Sequence, residues 1–185
     1  ATDNLSGCET VQTIVVNESE FPLFELDDLT VFDLTGDGRN RIEVLTDTGA
    51  LGVGDYDFSL DGGNFQDSPI FEDIPPGIHY ISVRDKNGCG IQSVAVSVIG
   101  YPLYFTPNGN GQDDNWQVLG VNGVFQSQSL IYIFDRHGRL LAQIEPDGSG
   151  WDGTYNSTPM PADDYWFRVV LEDGRTFTGH FSLIR

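Results

Sequence analysis

Short segments in which apolar and polar residues alternate follow one another along most of this chain. Between Val94 and Val98, valines alternate with Ala95 and Ser97, which is the period of a β-strand with one buried face. Apolar residues nowhere recur at spacings of three and four over the length that an amphipathic helix requires. The pattern therefore predicts an all-β chain.

The predicted strands are short, and turn-forming residues such as Pro75-Pro76-Gly77 separate them. Strands at this spacing favour antiparallel β-sandwiches of the immunoglobulin type. We expect the last strand to continue to the end of the chain, either built into a sheet or offered as its edge. The predicted strands cover residues 10–16, 29–33, 41–46, 55–60, 78–84, 91–99, 130–135, 139–144, 164–172 and 177–185.

An internal repeat divides the chain. The sequence NLSGC at residues 4–8 corresponds to DKNGC at 85–89, and FPLF at 21–24 corresponds to YPLY at 101–104. A repeat of this kind indicates that one structural unit is used more than once. We therefore predict two tandem immunoglobulin-like antiparallel β-sandwich modules that form part of a longer protein. The predicted divisions are residues 1–20 (tail of a preceding repeat or linker), 21–100 (spacer repeat) and 101–185 (second module).

The charge of the chain excludes several classes of partner. It contains 28 acidic and 9 basic residues, which give a formal net charge of -19. Nucleic-acid binding needs a basic surface that replaces phosphate counterions, and anionic membranes attract basic segments. No run of residues approaches the ~18 apolar residues of a membrane-spanning helix. We therefore expect no nucleic acid as a partner and no direct membrane insertion.

The two cysteines, Cys8 and Cys89, fall at equivalent positions of the repeat. Equivalent positions of successive modules usually lie a module length apart, whereas a disulfide needs Cα atoms within ~7 Å of each other. An N-terminal segment that folds back would still allow the bond. Separate thiols are thus the first expectation, and a Cys8–Cys89 disulfide is the alternative.

The stretch from Asn108 to Asp114 places amide and carboxylate oxygens around two glycines. Hard cations such as Ca²⁺ prefer oxygen ligands of this kind, so Asn108, Asn110, Asp113 and Asp114 are candidate metal ligands. Residues 33–38 offer a second, less complete loop of the same type. Because Asn, Asp and Gly also form tight turns without metal, a metal-free turn is the other interpretation of both loops.

The sequence does not contain the pattern of an active site. His79, His137 and His180 stand far apart, and neither a metal-binding histidine pair nor a G-x-S-x-G motif occurs. Adjacent acids such as Asp113 and Asp114 would point to opposite faces of a strand and could not flank one bond. We therefore expect the histidines to lie on surface strands or turns, and we expect no enzyme.

Several motifs in residues 101–185 resemble those of one family. The segment FTPNGNGQDDNW (105–116) is similar to the family's opening F-T-P-N-G-D-G-x-N-D-x-W, with Asn110 and Asp113 as departures. IFDRHG (133–138) and WDGTYN (151–156) resemble two further motifs of that family. The residues that we take as the signature are Phe105, Thr106, Pro107, Asn108, Gly109, Gly111, Asp114, Trp116, Trp151, Asp152, Gly153, Gly179, Leu183 and Arg185.

On these motifs, residues 101–185 are identified as a member of the type B C-terminal sorting domains of proteins exported by the type IX secretion system. These domains are also described as gliding motility-associated C-terminal domains of Bacteroidota. Residues 21–100, with YDFSLDGGNFQ (56–66) and VRDKNGCG (83–90), resemble the immunoglobulin-like repeats of large surface adhesins. The parent is thus expected to be a large modular protein of the cell surface.

The resemblance implies a secretion signal that directs a gliding or adhesion protein across the outer membrane to the cell surface or the medium. It implies as partners the outer-membrane type IX translocon and an accessory protein of the PorP/SprF type. The terminal strand is a candidate for pairing with the edge of a partner's sheet. The alternative is a calcium-dependent adhesion or glycan-binding β-sandwich module, in which Trp116, Trp151 and Trp166 would form a sugar platform rather than core.

Overall fold

Almost all of the regular secondary structure in the described residues is β-strand, as the sequence pattern predicts. The computed structural model describes residues 11–13, 18–34 and 39–185. A short 3-10 helix, Leu26–Asp28, precedes the first strand, and no α-helix occurs within these ranges. The strands are β1 (Leu29–Phe32), β2 (Asn40–Val44), β3 (Tyr56–Leu60), β4 (Ile70–Ile74), β5 (Gly77–Asp85), β6 (Ile91–Val98), β7 (Tyr104–Phe105), β8 (Leu130–Phe134), β9 (Leu140–Ile144), β10 (Thr154–Tyr155), β11 (Thr158–Pro159), β12 (Asp163–Val170) and β13 (Thr176–Leu183).

Two antiparallel sheets enclose the first hydrophobic core. Their strand orders are β1-β2-β4 and β3-β5-β6. Because side chains alternate along β5, Ile81 and Val83 are fully buried while Tyr80 faces solvent. The buried apolar residues of this core are Phe24, Leu29, Ile42, Val44, Leu51, Phe58, Phe71, Ile74, Ile81, Val83, Val96 and Val98.

The second hydrophobic core lies against a sheet of five strands in the order β7-β13-β12-β8-β9. Neighbouring strands are antiparallel except β7 and β13, which run parallel. Alternation along β12 buries Tyr165, Phe167 and Val169 on one face of the sheet. The ring of Trp116 packs against Phe167 at a centroid distance of 4.8 Å, and that of Trp151 packs against Tyr165 at 5.0 Å.

A buried carboxylate connects the elements around the two cores. Asp33 follows β1, and its Oδ2 accepts a hydrogen bond from the backbone N–H of Ile99 at 3.0 Å. Its Oδ1 lies 2.8 Å from Nη1 of Arg175, which precedes β13. Val98 contributes to the first core and Ile99 to the second. The domain boundaries placed after residues 20 and 100 stay predictions.

Most of the predicted strands occur with ends shifted by a few residues, but β4, β7, β10 and β11 were not predicted. In β4, the pairing with β2 is interrupted by a bulge, and Asp73 adopts a φ of 54°. A bulge breaks strict alternation, so the pattern is hidden in the sequence. Of the strand expected at 10–16, residues 11–13 are outside any strand. The remainder of that strand, Cys8 of the alternative Cys8–Cys89 disulfide, and most of the second candidate calcium loop lie outside the described residues.

The terminal strand is built into its sheet but ends earlier than predicted. β13 stops at Leu183 rather than at Arg185. Its last residues, Ser182 and Leu183, pair with β12 on one side and with β7 on the other. Among the residues that the structure describes, those from Thr176 to Phe181 pair only with β12.

The expectation that every histidine lies at the surface is wrong for His79, which is buried. Its Nδ1 lies 2.8 Å from Oδ2 of Asp61, and its Nε2 lies 2.8 Å from the carbonyl oxygen of Pro75. Burial raises the pKa of Asp61, but hydrogen bonds from His79 and from the Tyr80 N–H outweigh it, so this pKa is lowered. His79 therefore holds the turn residues around β5 together.

Candidate functional site

One carboxylate organises the glycine-rich loop that follows β7. Asp114 accepts backbone hydrogen bonds from Asn108 at 2.9 Å, Gly109 at 2.6 Å and Gly111 at 2.7 Å. Gly109 and Gly111 have φ angles of 78° and 85°, which glycine adopts without steric cost. The sequence thus places glycine where the backbone must turn toward a single side chain.

The asparagines of the same loop also bind its own backbone. Oδ1 of Asn108 accepts the N–H of Asn110 at 3.0 Å, and Oδ1 of Asn110 accepts the N–H of Gln112 at 2.8 Å. Such Asx turns form without a metal ion. Within the described parts of the chain, no three His, Cys, Asp or Glu side chains form a group that could hold a metal. Calcium binding by Asn108, Asn110, Asp113 and Asp114 stays a prediction.

Acid is expected to open this loop. Hydrogen bonds from Gly109, and then from Gly111 and Asn108, favour the charged carboxylate and hold the pKa of Asp114 below its ordinary value. A depressed carboxyl pKa stabilises the fold fully above the pKa of the unfolded chain, and this stabilisation is lost as pH falls through the folded-state pKa. We expect the amide NMR resonances of Gly109 and Gly111 to shift together below about pH 4.

Two neighbouring substitutions check this assignment. Asp114→Asn should remove the titration step, because an asparagine side chain does not change its charge as pH falls. Asp113→Asn should leave it in place, since the side chain of Asp113 accepts none of the three hydrogen bonds. A titration step that survives Asp114→Asn would contradict the assignment.

The aromatic residues at the two ends of the opening motif enter the core. Phe105 lies on β7 and pairs in register with Leu183 of β13. Trp116 is fully buried and stacks on Phe181 at a centroid distance of 4.1 Å. Its indole Nε1 donates a hydrogen bond to the carbonyl oxygen of Pro102 at 2.9 Å. The loop is therefore anchored to the sheet at both ends.

The W-D-G motif forms a turn directly against these residues. The backbones of Trp116 and Trp151 exchange two hydrogen bonds, of 2.9 and 2.8 Å. Oδ1 of Asp152 accepts the N–H of Thr154 at 2.9 Å. A Cβ added to Gly153, whose φ is 76°, would lie 2.8 Å from Cδ1 of Leu183. The turn thus packs so tightly on β13 that a side chain at this position has no room.

Arg185, the last residue of the signature, lies beyond the end of β13 and binds the W-D-G turn. The guanidinium of Arg185 donates to the carbonyl oxygens of Met160 at 3.1 Å and Gly153 at 3.4 Å. Gly179 lies elsewhere, in the middle of β13, where an added Cβ would meet the ring of Phe167 at 2.7 Å. Arg185 and Gly179 therefore have structural contacts of their own.

The structure divides the signature residues into three groups by exposure. Exposure separates the buried positions from those that a partner can reach in the folded domain. The buried members are Phe105, Trp116, Trp151, Gly153 and Leu183, the half-buried ones are Thr106, Pro107, Asp114 and Gly179, and the exposed ones are Asn108, Gly109, Gly111, Asp152 and Arg185.

The three tryptophans do not form a common sugar platform. Trp116 is 0% exposed and Trp151 is 3% exposed, whereas Trp166 is 41% exposed on the opposite face of the five-stranded sheet. Sequence reasoning missed the neighbours of Trp166 on that face, Phe134 and Arg168. The uninterrupted apolar run of β8, which ends at Phe134, was the signal that could have indicated this surface.

Comparisons with solved structures find distant similarity. A biofilm associated protein (BSP domain) aligns at 15% identity and a TM-score of 0.28, covering 84% of this chain and 29% of its own. Dimeric latent PorU from Porphyromonas gingivalis aligns at 15% identity and a TM-score of 0.33, covering 94% and 19%. The chain thus spans less than a third of the length of either structure. No curated protein sequence matches the chain.

Residues 99–183 match the family described as CHU_C type IX secretion signal domain. The matched region contains all five strands of the second sheet and every residue of the signature except Arg185. A domain of this family is a sorting signal read by the type IX secretion machinery for export across the outer membrane to the cell surface, and it is not catalytic. None of the described helical segments is long and apolar enough to cross a membrane. Residues 99–183 of this chain therefore belong to the CHU_C family of type IX secretion signal domains.

Proposed function

We propose that residues 101–185 are the C-terminal secretion signal of a large surface protein, of the gliding or adhesion class, in a Bacteroidota cell. The observation that carries this proposal is the family match over residues 99–183. The packing of Phe105, Trp116 and Trp151 into one core gives it a physical basis, because motifs far apart in sequence are then read as one folded unit. Residues 21–100 would be an immunoglobulin-like spacer repeat, and 1–20 the tail of a preceding repeat or a linker.

The proposed partners are the outer-membrane translocon and an accessory protein of the PorP/SprF type. Buried motif residues such as Trp116 stabilise the domain but cannot touch a partner while it is folded. Contact must therefore come from exposed positions, among them Asn108, Asp152 and Arg185. Pairing of β13 with a partner's strand would involve Thr176–Phe181, where no strand of the described chain pairs with the side away from β12.

A reporter fusion tests the proposed function. The whole chain, and separately residues 101–185, is fused to the C-terminus of a periplasm-directed fluorescent protein in a gliding Bacteroidota host. We expect fluorescence at the cell surface or in the medium in the wild-type host, and periplasmic retention in a strain that lacks the translocon. Retention of the whole-chain fusion in the wild-type host would overturn the proposal. Comparison of the two fusions shows whether residues 1–100 are required.

Deleting residues 182–185 is a poor test of the terminal strand. Leu183 is 2% exposed within the core, and the backbone of Ser182 and Ile184 donates to Leu103 and Phe105 at 2.9 and 3.0 Å. The deletion would remove this packing and these hydrogen bonds together, so the domain would unfold whatever its surface recognises. Substitutions of exposed residues separate folding from recognition.

A further inference from the structure

The five-stranded sheet has a second face that points away from the core. The register places Trp166 of β12 beside His180 of β13 and Phe134 of β8, and it places Phe134 beside Leu140 of β9. Trp166 is 41% exposed and Leu140 is 46% exposed. One row across four strands is therefore largely apolar or aromatic and open to solvent.

The sequence of β8 is also typical of a strand that is covered on both faces. β8 reads LIYIF, an uninterrupted apolar run of the kind found in strands that are buried on both faces. Ile131 and Ile133 are fully buried in the core, yet Leu130 on the other face is 40% exposed. The described part of the chain thus covers only one of the two apolar faces of this strand.

A cation stands in the next row of the same face. Arg168 lies between Tyr132 and Thr178 in the register and is exposed. Within the residues that the structure describes, the side chain of Arg168 forms neither an ion pair nor a hydrogen bond, whereas the nearby Arg136 pairs with Asp163 at 2.6 Å. In a chain with a net charge of -19, this guanidinium is available to a negatively charged group of a partner.

The aromatic row and the cation border one depression. It has a volume of about 390 Å³, and its walls are formed by Phe134, Asp135, Arg136, Gly138, Trp166, Phe167, Arg168 and Thr178. Residues 133–138, which resemble a family motif, meet β12 here. We define the outer-face patch by a set of six residues. They are Tyr132, Phe134, Leu140, Trp166, Arg168 and His180.

We propose that the outer-face patch is a docking surface for a protein of the secretion machinery, whose contact segment carries an apolar or aromatic side chain next to a carboxylate. The apolar side chain occupies the depression between Trp166 and Phe134, and the carboxylate pairs with Arg168. This assignment rests on the proposed function and specifies where the signal domain is read. Trp, Tyr and Arg dominate the energetics of protein interfaces, and complementary charge sets orientation and association rate.

A protein partner fits this surface better than a membrane or a sugar. An anionic lipid surface would be repelled by the net charge of -19. A sugar site needs several convergent polar groups around an aromatic ring, but Asp135 and Arg136 beside Trp166 are already paired with Arg139 and Asp163. The charge and the apolar row together therefore select a protein segment with mixed apolar and acidic character.

The test uses the whole chain fused to the periplasm-directed reporter, with Trp166→Ala and Arg168→Glu as variants. Each is expected to lower surface fluorescence about tenfold or more, as loss of an interface hot spot does. Thermal unfolding of the purified variants should remain close to that of the wild type. Trp166→Phe and Arg168→Lys should restore much of the export, because they keep the ring and the charge.

Matched controls lie on the first β-sandwich. Tyr80→Ala removes a side chain that is 56% exposed on β5, and Arg41→Glu reverses a charge that is paired with Glu43 at 2.9 Å. Both controls should be exported like the wild type. Equal losses for the controls and the patch variants would overturn the assignment of the patch.

The outcomes separate the two proposals. Failure of the wild-type fusion to leave the periplasm overturns the proposed function and the docking claim that rests on it. Normal export of folded Trp166→Ala and Arg168→Glu overturns the docking surface alone and leaves the secretion signal intact. Binding of a glycan array by the wild-type chain but not by Trp166→Ala, with export unchanged, would identify a sugar site and also overturn the docking claim.

Discussion

Replacing Trp116 by alanine is expected to destabilise the fold around the second hydrophobic core by about 3–5 kcal/mol, the usual cost of truncating a buried tryptophan. Trp116 is fully buried and stacks on Phe181 at 4.1 Å. The substitution would leave a cavity in the core and would orphan the carbonyl oxygen of Pro102, which accepts the indole N–H at 2.9 Å. Urea denaturation followed by circular dichroism measures the loss.

The matched control for this substitution is Trp166→Ala. Trp166 is 41% exposed on the opposite face of the same sheet, so its loss should cost about 1 kcal/mol or less. Equal destabilisation by the two substitutions would show that burial in this core does not set the stability of the domain. Both substitutions are expected to reduce export. Trp116→Ala does so because the domain unfolds, and Trp166→Ala because a contact with the partner is lost.

Gly150→Ala is expected to destabilise the domain nearly as much as Trp116→Ala, although it adds only a methyl group. Gly150 has a φ of 88°, and an added Cβ would collide with the carbonyl group of Trp116, lying 2.9 Å from its carbon. That carbonyl oxygen accepts the N–H of Trp151 at 2.8 Å, so the backbone cannot move aside without breaking the bridge. We expect about 1–3 kcal/mol from this overpacking, beyond the cost of the backbone angle.

The cost of a positive φ alone, without a steric collision, can be measured at Gly174. Gly174 has a φ of 89°, and a Cβ added there would meet no atom within 4 Å. Gly174→Ala therefore carries the strain of a positive φ but not the collision. The difference in free energy of unfolding between the two variants isolates the close approach to Trp116. A difference near zero would falsify the steric explanation.

These expectations separate two roles that the motifs of a sorting domain combine. Trp116 and Gly150 act through the fold, because their contacts lie inside it. Trp166 and Arg168 lie at the surface, where substitution changes recognition without changing the core. Measuring stability beside export is therefore necessary before any motif residue is assigned to contact with the translocon.

The sequence alone determined that the chain is β-structured, and it determined much of the second hydrophobic core. Tyr165, Phe167 and Val169 alternate along β12 and are all buried. This inference works because a strand with one buried face has a local period of two residues. The family of residues 99–183 was likewise readable, since the motif residues that build the turns and the core keep a fixed order along the chain.

Strand pairing was decided only by the tertiary structure. β7 consists of two residues, Tyr104 and Phe105, and it exists as a strand because the distant β13 pairs with it. The same pairing removes part of the free edge that the sequence suggested for the end of the chain. Pairing depends on register and topology across long stretches of sequence, and no local pattern contains that information.

The outer-face patch likewise could not be predicted from local sequence patterns. Phe134 and Trp166 belong to segments that the sequence marks as strands, yet nothing local indicates that the two side chains are neighbours. The antiparallel register of β8 and β12 places them side by side and leaves Arg168 next to them. The sequence thus determined the strands themselves, whose alternation is local, and the pairing of the strands decided which of their outward side chains form one surface.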